Sequence, residues 1–344
     1  MFALISNIFG YLLNFLYEIL NNNFGFAIIV FSILLRIILL PITIKQQQSM
    51  KKTTKIQGQI KALQVKYKNN QEMLNKETME LYKKENISPF SGCLSAIVQI
   101  IIIFSVFYLV SQPITYMKKI NDKSNNPEVK ELNQVVEQYK NDIKNNNNGK
   151  SRYIEIATIG RINEDYKNID SKINSLENDK SEEELNNENA EKTENNSDNQ
   201  EAENQEKQTE SKEDLLKRKE QLKKLNINME FLSLDLSKVP NENLKDYRVY
   251  IIPILYVISS FLSIKLNSNT TGKKKDKNGE NKDSNEVDTA AQMNKTMLYI
   301  MPIMTVSIAF IAPLGLALYW FVSNVLMIGE RVILQKILDN KEEE

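Results

Sequence analysis

Residues 24–44 read FGFAIIVFSILLRIILLPITI, an apolar run interrupted by a single charge, Arg36. A bilayer core about 30 Å thick takes roughly 17–25 apolar residues of helix, so this run is read as a first membrane span. The same test applied outward gives four more, at 90–113, 249–266, 297–312 and 314–333, with Pro313 and Gly315 marking a tight turn between the last two. The average over the chain conceals this. Its 344 residues are 42% hydrophobic and 26% charged, and the mean hydropathy of −0.39 looks like that of a soluble protein. Apolar runs alternate with stretches of Lys, Glu and Asn, so each segment has to be read by itself. The fold class is all-α polytopic membrane protein with polar loops.

Lysine placement orients the spans, because cytoplasmic loops carry the excess of Lys and Arg. Between Lys45 and Lys84 there are ten lysines against Glu72, Glu77, Glu80 and Glu85 nearby. That segment is therefore expected in the cytoplasm, with the N-terminus outside and, after five spans, the C-terminus inside. Lys273, Lys274, Lys275 and Lys277 in the 267–295 loop fall on the same side and agree. The tail, 334–344, ends Lys341-Glu342-Glu343-Glu344 and is short and acidic.

Within 45–88, Met50, Ile56, Ile60, Leu63, Met73, Leu74, Met79 and Leu81 recur at helical spacing, with a break near Lys68-Asn69-Asn70. This predicts a cytoplasmic hairpin of two helices with thin apolar seams and a basic exterior. Residues 1–22 are apolar but carry Asn7, Gly10, Asn14 and Glu18 at spacings of three and four, which share one helical face. They are read as an amphipathic helix on the outer surface, with a cleaved signal peptide as the alternative, for which a basic start and a small-residue cleavage site are wanting.

Segment 118–246 is the largest polar region, an outer insertion with 22 Lys and Arg against 29 Asp and Glu. Around 168–211 it is rich in Asn and Glu and nearly free of aromatics, so disorder is expected there, with a loose helix from Lys212 to Lys224. Its flanks, Tyr153 to Arg161 and Asn226 to Leu236, alternate apolar and polar residues and are read as short strands.

Lys plus Arg and Asp plus Glu are both 44, so net charge gives no reason to expect a specific nucleic-acid sequence as partner. The chain has no histidine and one cysteine, Cys93, which removes a disulfide framework, a cysteine cluster for zinc and any Ser-His or Cys-His nucleophile. Cys93 reads as a small packing residue. No G-x-x-x-x-G-K-[ST] occurs, and no cofactor is expected.

FGFAIIVFSILLRIILLPITIKQQQSMKK (24–52), the element Lys66-Tyr67-Lys68, and NISPFSGCLSAIVQIIIIFSVFY (86–108) with its Pro89-x-x-Gly92-Cys93-Leu94 and early Gln99 resemble the YidC family of membrane protein insertases. MPIMTVSIAFIAPLGLALYWFVSN (301–324) is similar to that family's last two spans, and FLSLDLSKVP (231–240) to its approach to the third. The resemblance covers about 20–117 and 229–337. Gly58 stands where the family commonly has proline, the lipoprotein cysteine of many five-span relatives is missing near the start, and the outer insertion is not part of the family's minimal core.

The resemblance implies five spans around a hydrophilic groove, open to the cytoplasm and lipid, with Arg36 inside it and Gln99 and Trp320 as its nearest groove neighbours. Ser260 and Ser263 are further polar candidates in span three. Taken alone, Gln99 and the serines would equally suit interhelical hydrogen bonds, and Trp320 an interfacial anchor. An ionisable residue in a span usually faces a polar cavity or a partner. The reading assigns Arg36 no acid in another span and leaves that role to water or substrate. Lys51, Lys52 and Lys55 are expected as contact points on the hairpin. The implied activity is insertion of hydrophobic segments without covalent chemistry, so no enzyme, with nascent membrane proteins, the ribosome, the Sec translocon and the lipid bilayer as partners. A solute transporter would call for discontinuous helices and repeated halves, which five unequal spans do not offer.

Overall fold

The computed structural model describes residues 2–86, 91–121, 124–146, 153–188, 212–270 and 307–343. The chain divides into two compact units, Met1–Met117 with Met229–Glu344, and Lys118–Asn228.

The first unit begins with α1 (Phe2–Ile19) and α2 (Phe24–Lys66). Between them Asn21 and Asn22 take positive φ values of 54° and 55°, a conformation Asn accepts more readily than most residues. Asn23 caps α2 by accepting the Phe26 N–H at 3.0 Å. At 43 residues, α2 is about 65 Å long by helix rise, roughly twice a bilayer core. It continues without interruption through Pro41 from the expected span into the first arm of the hairpin. The second arm is α3 (Gln71–Lys84), started by Asn70, whose side chain accepts the Met73 N–H at 3.0 Å. The break falls where the sequence places it, and α2 and α3 pack together. Gly58 lies inside α2 with open space around it.

Next come α4 (Ser91–Ser111) and the short α5 (Pro113–Tyr116). α4 packs on α1, where the Ser6 hydroxyl meets the carbonyls of Phe2 and Ser105 at 2.9 Å each. On α1 the packed face holds Ser6, Gly10, Leu13, Leu16 and Tyr17, while Leu4, Ile8, Tyr11, Phe15 and Ile19 stay exposed. Gly10 therefore belongs to the packing face and not to an exposed polar face with Asn7 and Glu18, because a residue without a side chain lets α1 approach its neighbours.

After the second unit the chain returns through the hairpin β1 (Glu230–Phe231) and β2 (Leu234–Asp235). Phe231 lies over Gly25, where an added Cβ would come within 2.3 Å of the ring, so only glycine is accommodated there. A 3-10 turn, Tyr247–Tyr250, leads into α9 (Ile251–Thr270). A short helix α10 covers 307–311, and α11 (Leu314–Glu343) ends the unit. Two N–H groups at the start of α11, on Leu314 and Gly315, donate to the carbonyls of Lys238 and Leu236 at 2.9 Å, supplying partners the helix itself cannot.

Phe2–Ile19, Phe24–Thr53, Tyr247–Leu266 and Leu314–Ile337 are long and apolar enough to cross a membrane, and Ile97–Ser111 is a shorter apolar helix. The chain is an all-α polytopic membrane protein. Of the expected span 297–312, residues 297–306 lie outside the described residues, as does 271–295 of the loop before it.

The second unit packs α6 (Pro127–Asn146), α7 (Ile154–Glu188) and α8 (Lys212–Leu225). Its core is Leu132, Val136, Ile156, Ile159, Ile162, Ile169, Ile173, Leu215, Leu222 and Leu225. Two expectations are corrected here. Tyr153 to Arg161 is not a strand: residues 154–161 are helical, since the isoleucines repeat at spacings of three, four and seven over a stretch longer than a nine-residue reading covers. Disorder does not begin at 168, since Ile169 and Ile173 are buried and α7 runs on to Glu188. Residues 189–211 lie outside the described residues. The helix expected from Lys212 is present, and Asn226 to Leu236 contains the two-residue strands of the hairpin.

Candidate functional site

Arg36 sits midway along the apolar part of α2, on the face turned to α11. Its Nη2 donates to the Ser323 carbonyl at 3.1 Å, and its Nη1 lies 3.7 Å from a carboxylate oxygen of Glu330. The same carboxylate accepts a short hydrogen bond from the Thr43 hydroxyl. Both hydrogen bonds join residues 287 apart in sequence, Arg36 with Ser323 and Thr43 with Glu330. A constant offset of this kind means that the two helices run parallel, with Arg36 level with Ser323 and Thr43 level with Glu330.

The ion pair breaks that register. Glu330 is seven residues beyond Ser323, about 10 Å of rise. Both side chains are long, and together they span that offset, Glu330 reaching toward the N-terminal end of α11 and Arg36 toward the C-terminal end of α2. The side chains are 13% and 11% exposed, so the pair is largely withdrawn from solvent but not sealed. The expectation that Arg36 has no acidic partner in another span is thereby corrected. Glu330 is the one acid in residues 314–333, and its place beside Arg331 at the polar end of the run makes it read as the boundary of the span.

Ser323 and Asn324 are neighbours on α11, separated by about 100° around the helix. Ser323 therefore faces α2, while the Asn324 amide donates to the hydroxyls of Ser259 at 2.9 Å and Ser260 at 3.2 Å on α9. All three of these side chains are buried, as is Ser263. Trp320 leans on Tyr256 of α9, with ring centroids 6.2 Å apart. Of the expected groove residues, then, Ser260 is engaged in an α9–α11 hydrogen-bond cluster and Trp320 packs at the same junction. Gln99 is half-buried on α4. Lys51 is half-buried, and Lys52 and Lys55 are exposed, all on the lower part of α2.

Around these polar contacts the outward faces are apolar. Ile33, Ile37 and Ile38 on α2, Ile254, Ile258 and Phe261 on α9, and Ile97, Ile100 and Phe104 on α4 are all exposed. Such continuous apolar surface suits hydrocarbon rather than water. The site thus combines an apolar exterior with a partly solvated, charge-compensated pair between two helices.

The family model described as 60Kd inner membrane protein matches residues 15–141 and 214–342. The chain belongs to the 60Kd inner membrane protein family. Both halves of the Arg36–Glu330 pair and the α9–α11 cluster lie inside the match, and all of α7 lies outside it. Similar proteins within bacteria include the membrane protein insertase YidC of Fusobacterium nucleatum, 44% identical over 108 residues, which are 30% of this chain and 53% of that protein. The membrane protein insertase YidC of Clostridium perfringens is 44% identical over 94 residues, 27% of this chain and 40% of its own length. That of Caldanaerobacter subterraneus is 41% identical over 108 residues, 31% and 52% respectively. The chain spans about half the length of these relatives.

Proposed function

We propose that this protein is a membrane protein insertase that moves hydrophobic segments of newly made proteins from the cytoplasm into the bilayer. The observation that carries this reading is Arg36, a charge held in a partly solvated polar contact between two helices whose other faces are apolar. An Arg at mid-span opposes membrane insertion by about 2.5–3.5 kcal/mol, which surrounding Leu, Ile, Phe and Val offset at roughly 0.3–0.6 kcal/mol each. Residues 24–44 can therefore tolerate the charge, but tolerance does not explain it. Glu330 compensates part of the charge, and a groove in which Arg36 can exchange that partner for the polar tail of a substrate accounts for keeping it in the span.

In this mechanism the tail enters the groove beside Arg36, with Gln99, Trp320, Ser260 and Ser263 along its walls, and the apolar segment slides past the helices into lipid. The transfer of that segment from water supplies the driving force, so no covalent step or cofactor is needed. The lysine-rich hairpin, including Lys51, Lys52 and Lys55, lies in the cytoplasm and meets the substrate or ribosome. The N-terminus is outside, with α1 on the outer surface, and the C-terminus is inside. Nascent membrane proteins, the ribosome and the Sec translocon are the partners in this reading.

The test is insertion of one single-span substrate bearing either an acidic or a neutral tail, at matched expression of each variant. Arg36→Ala should reduce insertion of the acidic-tailed form by about fivefold or more, the lower end of ordinary coupling between two sites, and Arg36→Lys should largely retain it. Equal insertion by Arg36→Ala and the unaltered protein would remove the electrostatic role.

A further inference from the structure

We propose that Glu330 is a specificity-determining residue: an internal carboxylate that occupies Arg36 at rest and must be displaced by the acidic tail of a substrate. The proposal rests on the insertase reading given above and goes beyond it by naming what the substrate competes with.

Three observations support it. The carboxylate is within 3.7 Å of the guanidinium and the two side chains are about equally shielded, at 13% and 11% exposure, so the positive charge of Arg36 is compensated within the protein. The Arg36 contact is also longer than a charge-assisted hydrogen bond of about 2.7–2.9 Å, which leaves it easier to exchange. Finally, Glu330 has a second holder, the Thr43 hydroxyl, one helical heptad below Arg36 on the same face of α2. When Arg36 turns to another carboxylate, Glu330 keeps a hydrogen-bond partner and need not be left bare.

A guanidinium presents five N–H donors in a planar fork and pairs best with a carboxylate that reaches it in plane. Here one nitrogen is spent on the Ser323 carbonyl and another faces Glu330 at long range. An incoming Asp or Glu that pairs more closely gains by the exchange, whereas a tail without an acid has nothing to offer Arg36 and leaves Glu330 in place. Glu330 therefore lowers the advantage of acidic tails relative to neutral ones, and a basic tail meets a carboxylate that is already engaged.

The experiment measures insertion of one single-span substrate with an acidic, a neutral or a basic tail, by the full chain reconstituted in vesicles. Glu330→Gln, which keeps an oxygen able to accept from Thr43, should raise the acidic-to-neutral ratio by about fivefold. In an Arg36→Ala background the same substitution should leave that ratio unchanged. Glu330→Asp keeps the charge but shortens the reach, and should move the ratio in the same direction by less. If Glu330→Gln fails to accumulate, the aspartate variant carries the test. An unchanged ratio in both Glu330 variants, with Arg36→Ala still impairing acidic tails, overturns the counter-ion proposal and leaves the insertase reading intact. No effect of Arg36→Ala on any tail overturns the electrostatic reading on which both depend.

Discussion

The two units bury the same kinds of residue and expose opposite ones. In the 118–228 unit, isoleucines and leucines turn inward, and pairs such as Arg161–Glu164 at 3.3 Å and Lys224–Glu128 at 2.8 Å lie on the outside. Lys140 reaches from Glu137 to the buried Glu155, which brings charge into that interior. In the other unit, α2, α4 and α9 turn isoleucine and phenylalanine outward, and the helix contacts are where Arg36, Glu330, Ser259, Ser260 and Asn324 meet. The comparison shows what each unit treats as solvent. A polar group placed between helices in hydrocarbon has to find a partner inside the protein, whereas a surface ion pair in water contributes little.

Paired truncations sharpen this contrast most. Ile162→Ala removes a fully buried side chain and should cost about 2–5 kcal/mol, seen as faster hydrogen exchange across α7 and α8 in the full chain. Phe261→Ala removes a larger side chain that is 66% exposed, and should change exchange in α9 by no more than about 0.5 kcal/mol. Comparable losses from both would mean that α9 packs against protein on that face and would erase the distinction.

A smaller effect belongs to the turn before α9. Hydrogen bonds from Arg248 and then Lys238 hold the Asp246 carboxyl below the usual carboxylate range. With the folded value depressed, the contribution is present above the unfolded value of about 3.9 and disappears only as pH falls through the lower, folded one. Carbon NMR of the Asp246 carboxyl in micelles should therefore give a midpoint below about 3.9. A midpoint at the ordinary value would mean that Arg248 and Lys238 do not clamp the turn.

Much of the first unit was legible in the sequence because its signals are long. Residues 24–44, 249–266 and 314–333 announce themselves as mostly apolar runs of 18 to 21 residues, and the hairpin break by the Asn69-Asn70 pair that starts α3. The YidC resemblance, carried by the motifs around Arg36, Gly92 and Trp320, agrees with the family match and with the names of the relatives. The second unit was harder. Over nine residues, Tyr153 to Arg161 suits a period of two as well as a helix, and only the spread from Ile156 to Ile173 decides. At the site, Arg36 stands out as a lone charge. Glu330 does not, because an acid beside Arg331 looks like the end of a span, and its partnership depends on α2 and α11 running parallel in one register. Ser260 and Trp320 were visible as polar or amphipathic residues in spans, but the rotation of α9 against α11 sets what each one touches.

Depletion tests the proposed insertion of proteins into the membrane without reference to any single side chain. In cells depleted of the protein, a pulse-labelled, small single-span substrate should remain uninserted and accessible from the cytoplasm, and re-expression of the chain should restore its insertion. Unchanged insertion after depletion, with the protein verified as absent, would mean that this chain is not the insertase of that substrate.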